Sequence, residues 1–255
     1  MDETKLIAEL RGNVAVLTIN REKRRNALDN DTLYLIRDAL ATYKQRQDVR
    51  AIVLTGAGTR AFCAGSDLKA MAELDLEGRL AHTELGQGVM DMIEEHPCPV
   101  IAAIEGFCLG GGLEIALSCD YRLAGRSTTV GLPEVTINAL PTWGGTQRLP
   151  RMIGLSRARE VVLFGRRLTA EEALGWGILN KVVDDGTTVA SAIEMAQHVI
   201  QGSARRTVSI AKQIVNFGYG TPNRTGRQLE YLADVIQMSS PDLEASVAGF
   251  IDKKK

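Results

Sequence analysis

Gly110-Gly111-Gly112-Leu113-Glu114 and, twenty residues after Glu114, Leu132-Pro133-Glu134-Val135 place two carboxylates around one glycine-rich turn. Backbone without side chains can bring amide N–H groups close to a ligand, and a helix opening at Leu113 aims its positive end at developing negative charge. An amide that stabilises an oxyanion, next to two groups able to move a proton, suits the transient conversion of a carbonyl into an enolate. Glu114 falls in the first turn of the expected helix, where the dipole favours its ionised form, so it is assigned as the base. Glu134 follows a proline outside any helix; a carboxylate close to another keeps a proton on the pair, so Glu134 is assigned as the acid.

The elements that must carry these residues are legible as alternating strands and helices. Val14–Ile19, residues 51–55 and Val100–Ile104 are apolar and β-branched, as buried strands are. Between the first two, Asp29 or Asn30 can cap a helix whose Leu33, Ile36, Leu40 and Tyr43 recur at helical spacing. A helix over 84–95 must end before Pro97 and Pro99, and one over 113–119 runs into a short strand at 121–124. From Ser156 onward the pattern is helical, with a capping box at Thr169-Ala170-Glu171-Glu172 and helices over 188–201, 203–217 and 226–250. The fold class is therefore layered α/β followed by a helical final third, with 252–255 as a frayed, solvated tail.

Composition excludes several classes. The 255 residues are 45% hydrophobic and 24% charged, enough for a sizeable core, and the net charge of -1 offers no long-range pull toward nucleic acid or anionic lipid. Cys63, Cys98, Cys108 and Cys119 have neither Cys-x-x-Cys spacing nor a histidine partner nearby, so reduced buried thiols are expected rather than a metal site or disulfides. No apolar run reaches bilayer-spanning length, and Met1-Asp2-Glu3-Thr4 has the wrong charge for a secretory signal, so a cytoplasmic protein with no membrane partner is expected.

Phe62-Cys63-Ala64-Gly65-Ser66-Asp67-Leu68, Gly106 through Glu114, Pro133-Glu134 and Gly144-Gly145-Thr146-Gln147-Arg148-Leu149, in that order, resemble the enoyl-CoA hydratase/isomerase (crotonase) family. The likeness runs from Val14 through Val183 and includes Arg25-Asn26-Ala27-Leu28 and the segment 168–183. It implies a crotonase spiral of ββα units over 1–195 carrying the active site, then a helical region, 196–255, that assembles homotrimers or dimers of trimers. It also implies an acyl-CoA substrate, with CoA part of the substrate and no metal or redox cofactor. By position, the amides of Ala64 and Gly111 match the two donors to the thioester oxygen, and Glu114 and Glu134 match the glutamates of the hydratases, which add water to a 2-enoyl-CoA. Ser66, Asp67 and Leu68 are expected to line the pocket, although Asp67 can equally cap the following helix. Thr142 and Trp143 stand where relatives often have glycine or alanine and should alter the acyl pocket. Arg24 could meet the CoA phosphates or remain a solvated turn residue.

Other chemistries are weaker. Isomerisation of a 3-enoyl-CoA needs the same oxyanion site and only one carboxylate. Gly56-Ala57-Gly58-Thr59-Arg60-Ala61 satisfies a dinucleotide fingerprint after a strand, but a further loop at 62–65 stands where a helix should open. Serine hydrolysis lacks Gly-x-Ser-x-Gly, and His82, His96 and His198 have no motif support as a base. RNA binding would rest on Lys44, Arg46 and Arg50, which are interleaved with Asp38 and Asp48 as on a solvated face.

Overall fold

The hairpin of β1 (Leu6–Arg11) and β2 (Val14–Ile19) starts the chain's main sheet, and β2 then pairs in parallel with β3 (Ala51–Gly56). The structure is a computed structural model and describes residues 4–252; the acidic start at 1–3 and the tail at 253–255 lie outside the described residues. Between β2 and β3 runs α1 (Asn30–Gln45), capped by Asp29, whose Oδ1 accepts from the Thr32 amide at 2.9 Å; it buries Leu33, Ile36, Leu40 and Tyr43.

Three ββα turns follow. The first comprises β3, β4 (Ala61–Cys63), α2 (Leu68–Ala72) and α3 (Leu76–Glu94). The second is β5 (Val100–Ile104), β6 (Phe107–Leu109) and α4 (Gly111–Ser118), and the third is β7 (Tyr121–Gly125), β8 (Thr129–Gly131) and α5 (Gly145–Ile153). In each turn the first strand joins one sheet and the second joins another, so the chain spirals between them. Then come α6 (Leu155–Leu163), β9 (Arg167–Thr169), α7 (Ala170–Trp176), β10 (Lys181–Val183), α8 (Thr188–Gly202), α9 (Arg205–Gly218), α10 (Asn223–Met238) and α11 (Pro241–Asp252). The sheets have orders β1-β2-β3-β5-β7-β10 and β4-β6-β8-β9; only the β1–β2 and β8–β9 pairs are antiparallel.

The central strands β2, β3 and β5 of the larger sheet are covered on both faces, which is why they read as apolar runs, whereas the edge strand β1 is largely exposed. Leu17, Ile19, Ile52, Leu54 and Ile104 face the main core with α1, α3 and α4, while Val14, Val16, Val53 and Ile101 face Ala192 and Ala196 of α8. The residue 195/196 division lies inside α8. All four cysteines are free and buried, and burial pushes the Cys63 and Cys119 thiols up to about 12.

Two helix boundaries differ from expectation. Helix α3 starts at Leu76 rather than 84, because Asp75 caps it by accepting from the Gly78 amide at 2.8 Å. The helix expected over 226–250 is two, broken at Ser239 and Ser240 with Pro241 opening the second. These C-terminal helices leave Val215, Tyr231, Leu232, Val235 and Ile236 exposed.

Candidate active site

The glycine triplet lies where β6 enters α4, and each glycine is required for a different reason. Gly110 has φ 55°, ψ -129°, and its amide donates to the Gly131 carbonyl of β8 at 2.9 Å, tying the turn to the neighbouring strand. A Cβ on Gly111 would overlap the indole of Trp143, and one on Gly112 would overlap the Cys63 carbonyl of β4. The Gly111 N–H, in the first turn of α4, has no intrahelical acceptor. Gly65 closes against it: a Cβ there, at φ 103°, would lie 3.2 Å from the Gly111 nitrogen.

Glu114 is buried at 3% exposure. Its Oε1 accepts from the amides of Trp143 and Gly145, both at 2.8 Å, so the N-terminus of α5 holds one oxygen and leaves the other for chemistry. Gly144 and Gly145 permit this approach. Gly144 has φ 105°, and a Cβ on Gly145 would come within 3.0 Å of Glu114 Cγ and Oε1. Arg148 locks the same loop, donating to the Trp143 carbonyl at 3.0 Å and pairing with Glu94 and Asp91.

Burial pushes the Glu114 carboxyl up to about 7, against the two backbone hydrogen bonds, and the nearby Glu134 carboxylate adds to the rise. This corrects the expectation that the helix dipole keeps Glu114 ionised: loss of water outweighs a first-turn dipole. Burial likewise raises Glu134, in the 3-10 turn Glu134–Ile137. A Cβ on Gly110 would lie 3.1 Å from Glu134 Oε1, which places that carboxylate at the glycine turn, and Glu134 Oε2 is buried with no hydrogen-bond partner among the described residues. Both acids thus flank the entry to α4 in a setting that favours their neutral forms.

Ala64 does not present a free amide. Its N–H donates to the Arg25 carbonyl at 3.0 Å, so the second oxyanion donor expected at Ala64 is already engaged. Further along the segment, Leu28 bonds to the residues on either side of Ser66, its amide donating to the Gly65 carbonyl and its carbonyl accepting from the Asp67 amide, both at 2.8 Å, which leaves the Ser66 N–H without an acceptor among the described residues. The Ser66 hydroxyl meets His82 of α3, with Oγ 2.7 Å from Nε2, while His82 Nδ1 lies 2.5 Å from Asn30 Oδ1. Because an amide oxygen only accepts, Nδ1 carries the proton and Nε2 accepts from Ser66. Burial lowers the His82 pKa, consistent with a neutral ring. Sequence reading gave His82 no catalytic role and named Asn30 only as a possible helix cap; both approach the site from other helices, which no local motif signals.

The sequence model of the enoyl-CoA hydratase/isomerase family matches residues 9–255. The chain belongs to the enoyl-CoA hydratase/isomerase family. It is 38% identical to the short-chain-enoyl-CoA hydratase of Clostridium acetobutylicum, over 100% of this chain and 97% of that protein. It is 34% identical to the crotonyl-CoA hydratase of Syntrophomonas wolfei, over 98% and 96%. Among solved structures, the enoyl-CoA hydratase from Bacillus anthracis superposes with a TM-score of 0.95 at 36% identity, covering 98% of this chain and 97% of the other. The architecture of ββα turns and C-terminal helices is the crotonase fold.

Within this enoyl-CoA hydratase/isomerase frame the remaining predicted residues separate. Asp67 caps α2, accepting from the Lys69 amide, and pairs with Arg21, which also pairs with Asp29, each at 2.9 Å. Leu68 is largely exposed at the start of α2, and Thr142 is exposed with its carbonyl held by Gln87 of α3 at 2.7 Å. Arg24 is exposed on the turn Glu22–Arg24. The dinucleotide-like segment leads into β4 instead of a helix, so the fingerprint's phosphate-binding helix start is lacking there. Among the described residues, no cluster of His, Cys, Asp or Glu could hold a metal, and no helix is long and apolar enough to cross a membrane.

Proposed function

We propose that this chain adds water across the double bond of a 2-enoyl-CoA, giving the 3-hydroxyacyl-CoA, and catalyses the reverse dehydration. The observation that carries this reading is the buried Glu114 and half-buried Glu134 at one glycine turn, both carboxyls pushed up by loss of water. The thioester oxygen is held by the N–H groups of Gly111 and Ser66. The pair holds one proton, and in the protonation state that reacts this proton sits on Glu134: the Glu114 carboxylate takes a proton from water as the water oxygen bonds C3, and Glu134 protonates C2 of the resulting enolate. Proton return from Glu114 to Glu134 restores the pair. Each fixed amide is worth roughly 3 kcal/mol to the enolate, the scale of a lost oxyanion-hole donor. A Glu114 poised near neutrality suits a group that must both accept and return a proton.

Isomerisation of a 3-enoyl-CoA to the 2-enoyl form is the second reading, favoured by the unpartnered Glu134 Oε2, since that carboxylate alone could shuttle a proton between C2 and C4. Loss of enoyl-thioester ultraviolet absorbance across a panel of unsaturated CoA esters tests the first reading. Glu114→Ala should abolish hydration, whereas an isomerase working through Glu134 would survive it. Full hydratase turnover in the Glu114→Ala protein would overturn the proposed pair.

Arg24 is proposed to meet the CoA phosphates, because the adjacent Arg25 carbonyl is bonded to Ala64 and its turn therefore abuts the site. The helical region 196–255 is proposed to form homotrimers or dimers of trimers through the apolar side chains exposed on α9 and α10. Sedimentation velocity of the full chain tests the assembly; a monomer at micromolar concentration would contradict it.

A further inference from the structure

We propose that the indole of Trp143 is a fixed end wall of the acyl pocket, and that with Gly86 it restricts this enzyme to short-chain acyl groups of about the crotonyl length. The inference rests on the acyl-CoA reading above and names the substrate class within it.

Trp143 reaches into the site with only 3% exposure. Its amide holds Glu114 Oε1, and its ring lies across Gly111, where a Cβ would be 2.7 Å from Cε3 and overlap Cζ3. On its other side the ring fills the space left by Gly86 of α3, where a Cβ would be 2.6 Å from Cδ1 and overlap Cε2 and Nε1. Glycine is disfavoured inside a helix, and Gly86 does not adopt a positive φ, so room for the indole is the physical reason for glycine at this position. The edge of the ring meets His82 at 5.2 Å between centroids, in a T-shaped contact.

The backbone behind the ring is bolted at three points: Gln87 to the Thr142 carbonyl, Arg148 to the Trp143 carbonyl, and Glu114 to the Trp143 amide. The indole is therefore a wall rather than a lid. An acyl group with its C1 oxygen at Gly111 and its C3 facing Glu114 must continue past residue 143, because the same Glu114 oxygen accepts the Trp143 amide. At 3% exposure the ring is packed against Gly111, Gly86 and His82 and leaves no free space beyond it, so a chain longer than crotonyl has to displace the indole. A stop of this kind discriminates by exclusion, which a merely apolar pocket does weakly.

The test is the hydration rate of straight-chain 2-enoyl-CoA esters from C4 to C10 by the wild type, Trp143→Ala and Gly86→Ala. In the wild type, kcat/KM should fall by at least about tenfold from crotonyl- to 2-decenoyl-CoA. Trp143→Ala should raise the decenoyl-to-crotonyl ratio of kcat/KM at least about tenfold. Gly86→Ala, which improves helix propensity and touches neither carboxylate, pushes the ring toward Gly111 and should raise KM for crotonyl-CoA severalfold. Equal wild-type use of both lengths, or an unchanged profile in both variants, would overturn the wall and leave the hydratase reading standing. Should no ester be hydrated, that reading fails instead, and calorimetric binding of butyryl- against decanoyl-CoA to wild type and Trp143→Ala decides the wall by the same ratio.

Discussion

Replacing Glu114 by glutamine removes an ionisation that the fold resists. Burial moves this carboxyl from 4.5 to about 7. At about 1.4 kcal/mol for each pH unit, that difference (7 minus 4.5) makes ionised Glu114 about 3 kcal/mol less favourable in the folded chain than in the unfolded one. Below pH 4.5 both states are protonated and the penalty is absent. Between pH 4.5 and about 7 the unfolded chain has released its proton while the folded chain keeps it, so stability falls as pH rises. Above about 7 both states are ionised, the penalty is complete and the dependence levels off. Glutamine retains an oxygen to accept from the Trp143 and Gly145 amides but does not titrate. The stability difference between Glu114→Gln and wild type should therefore grow from near zero at pH 4 to about 3 kcal/mol in favour of the variant at pH 8. Urea unfolding followed by tryptophan fluorescence, at fixed protomer concentration, measures it, and subtracting the two curves cancels other titrations. Hydration should meanwhile fall by about 10²- to 10⁴-fold. Parallel stability curves for the two proteins between pH 4 and 8 would show that Glu114 is not held neutral by the fold.

The pH profile of kcat/KM for crotonyl-CoA should be bell-shaped with one limb near pH 7, since the pair works with one proton; Glu134→Gln should abolish one limb, and a flat profile from pH 5.5 to 8 would contradict proton sharing. Gly112→Ala should destabilise the chain by at least about 2 kcal/mol, because its Cβ meets the Cys63 backbone, which has no rotamer to yield; an unchanged unfolding midpoint in urea would refute that packing. Asn26 is wholly buried, donates to the Ala57 and Ala61 carbonyls, accepts from the Arg21 amide and sits at φ 55°. Asn26→Ala should cost about 3 kcal/mol or more, and Asn26→Gly, which tolerates the same backbone, somewhat less; equal losses in thermal unfolding would assign the whole effect to the hydrogen bonds.

What could be read from sequence was whatever local backbone chemistry determines. The Val14–Ile19 and Val100–Ile104 strands announced themselves because both faces are buried, and the Thr169 capping box forms with both of its reciprocal bonds. The strands β4, β6 and β8 have three residues each, too few for any periodicity, and they exist because the spiral lays them side by side. The same division runs through the site. A glycine triplet and an acid in the first turn are local requirements and stand out. Which amide between Cys63 and Asp67 remains unspent is settled by the segment 25–28 across from it and by the turn of the backbone at Gly65, neither of which the motif contains. The protonation of Glu114 is non-local as well: its dipole was legible, but the burial that overrides the dipole is built by Trp143, Leu132 and α5 closing over it. Trp143 gives the sharpest case. Alone it is a bulky residue beside two glycines, and only its fit between Gly86 of α3 and Gly111 of α4 turns that bulk into a limit on what the carboxylates can reach. Catalytic groups on this fold are thus encoded within short segments, whereas their proton affinity and their substrate range come from contacts between segments.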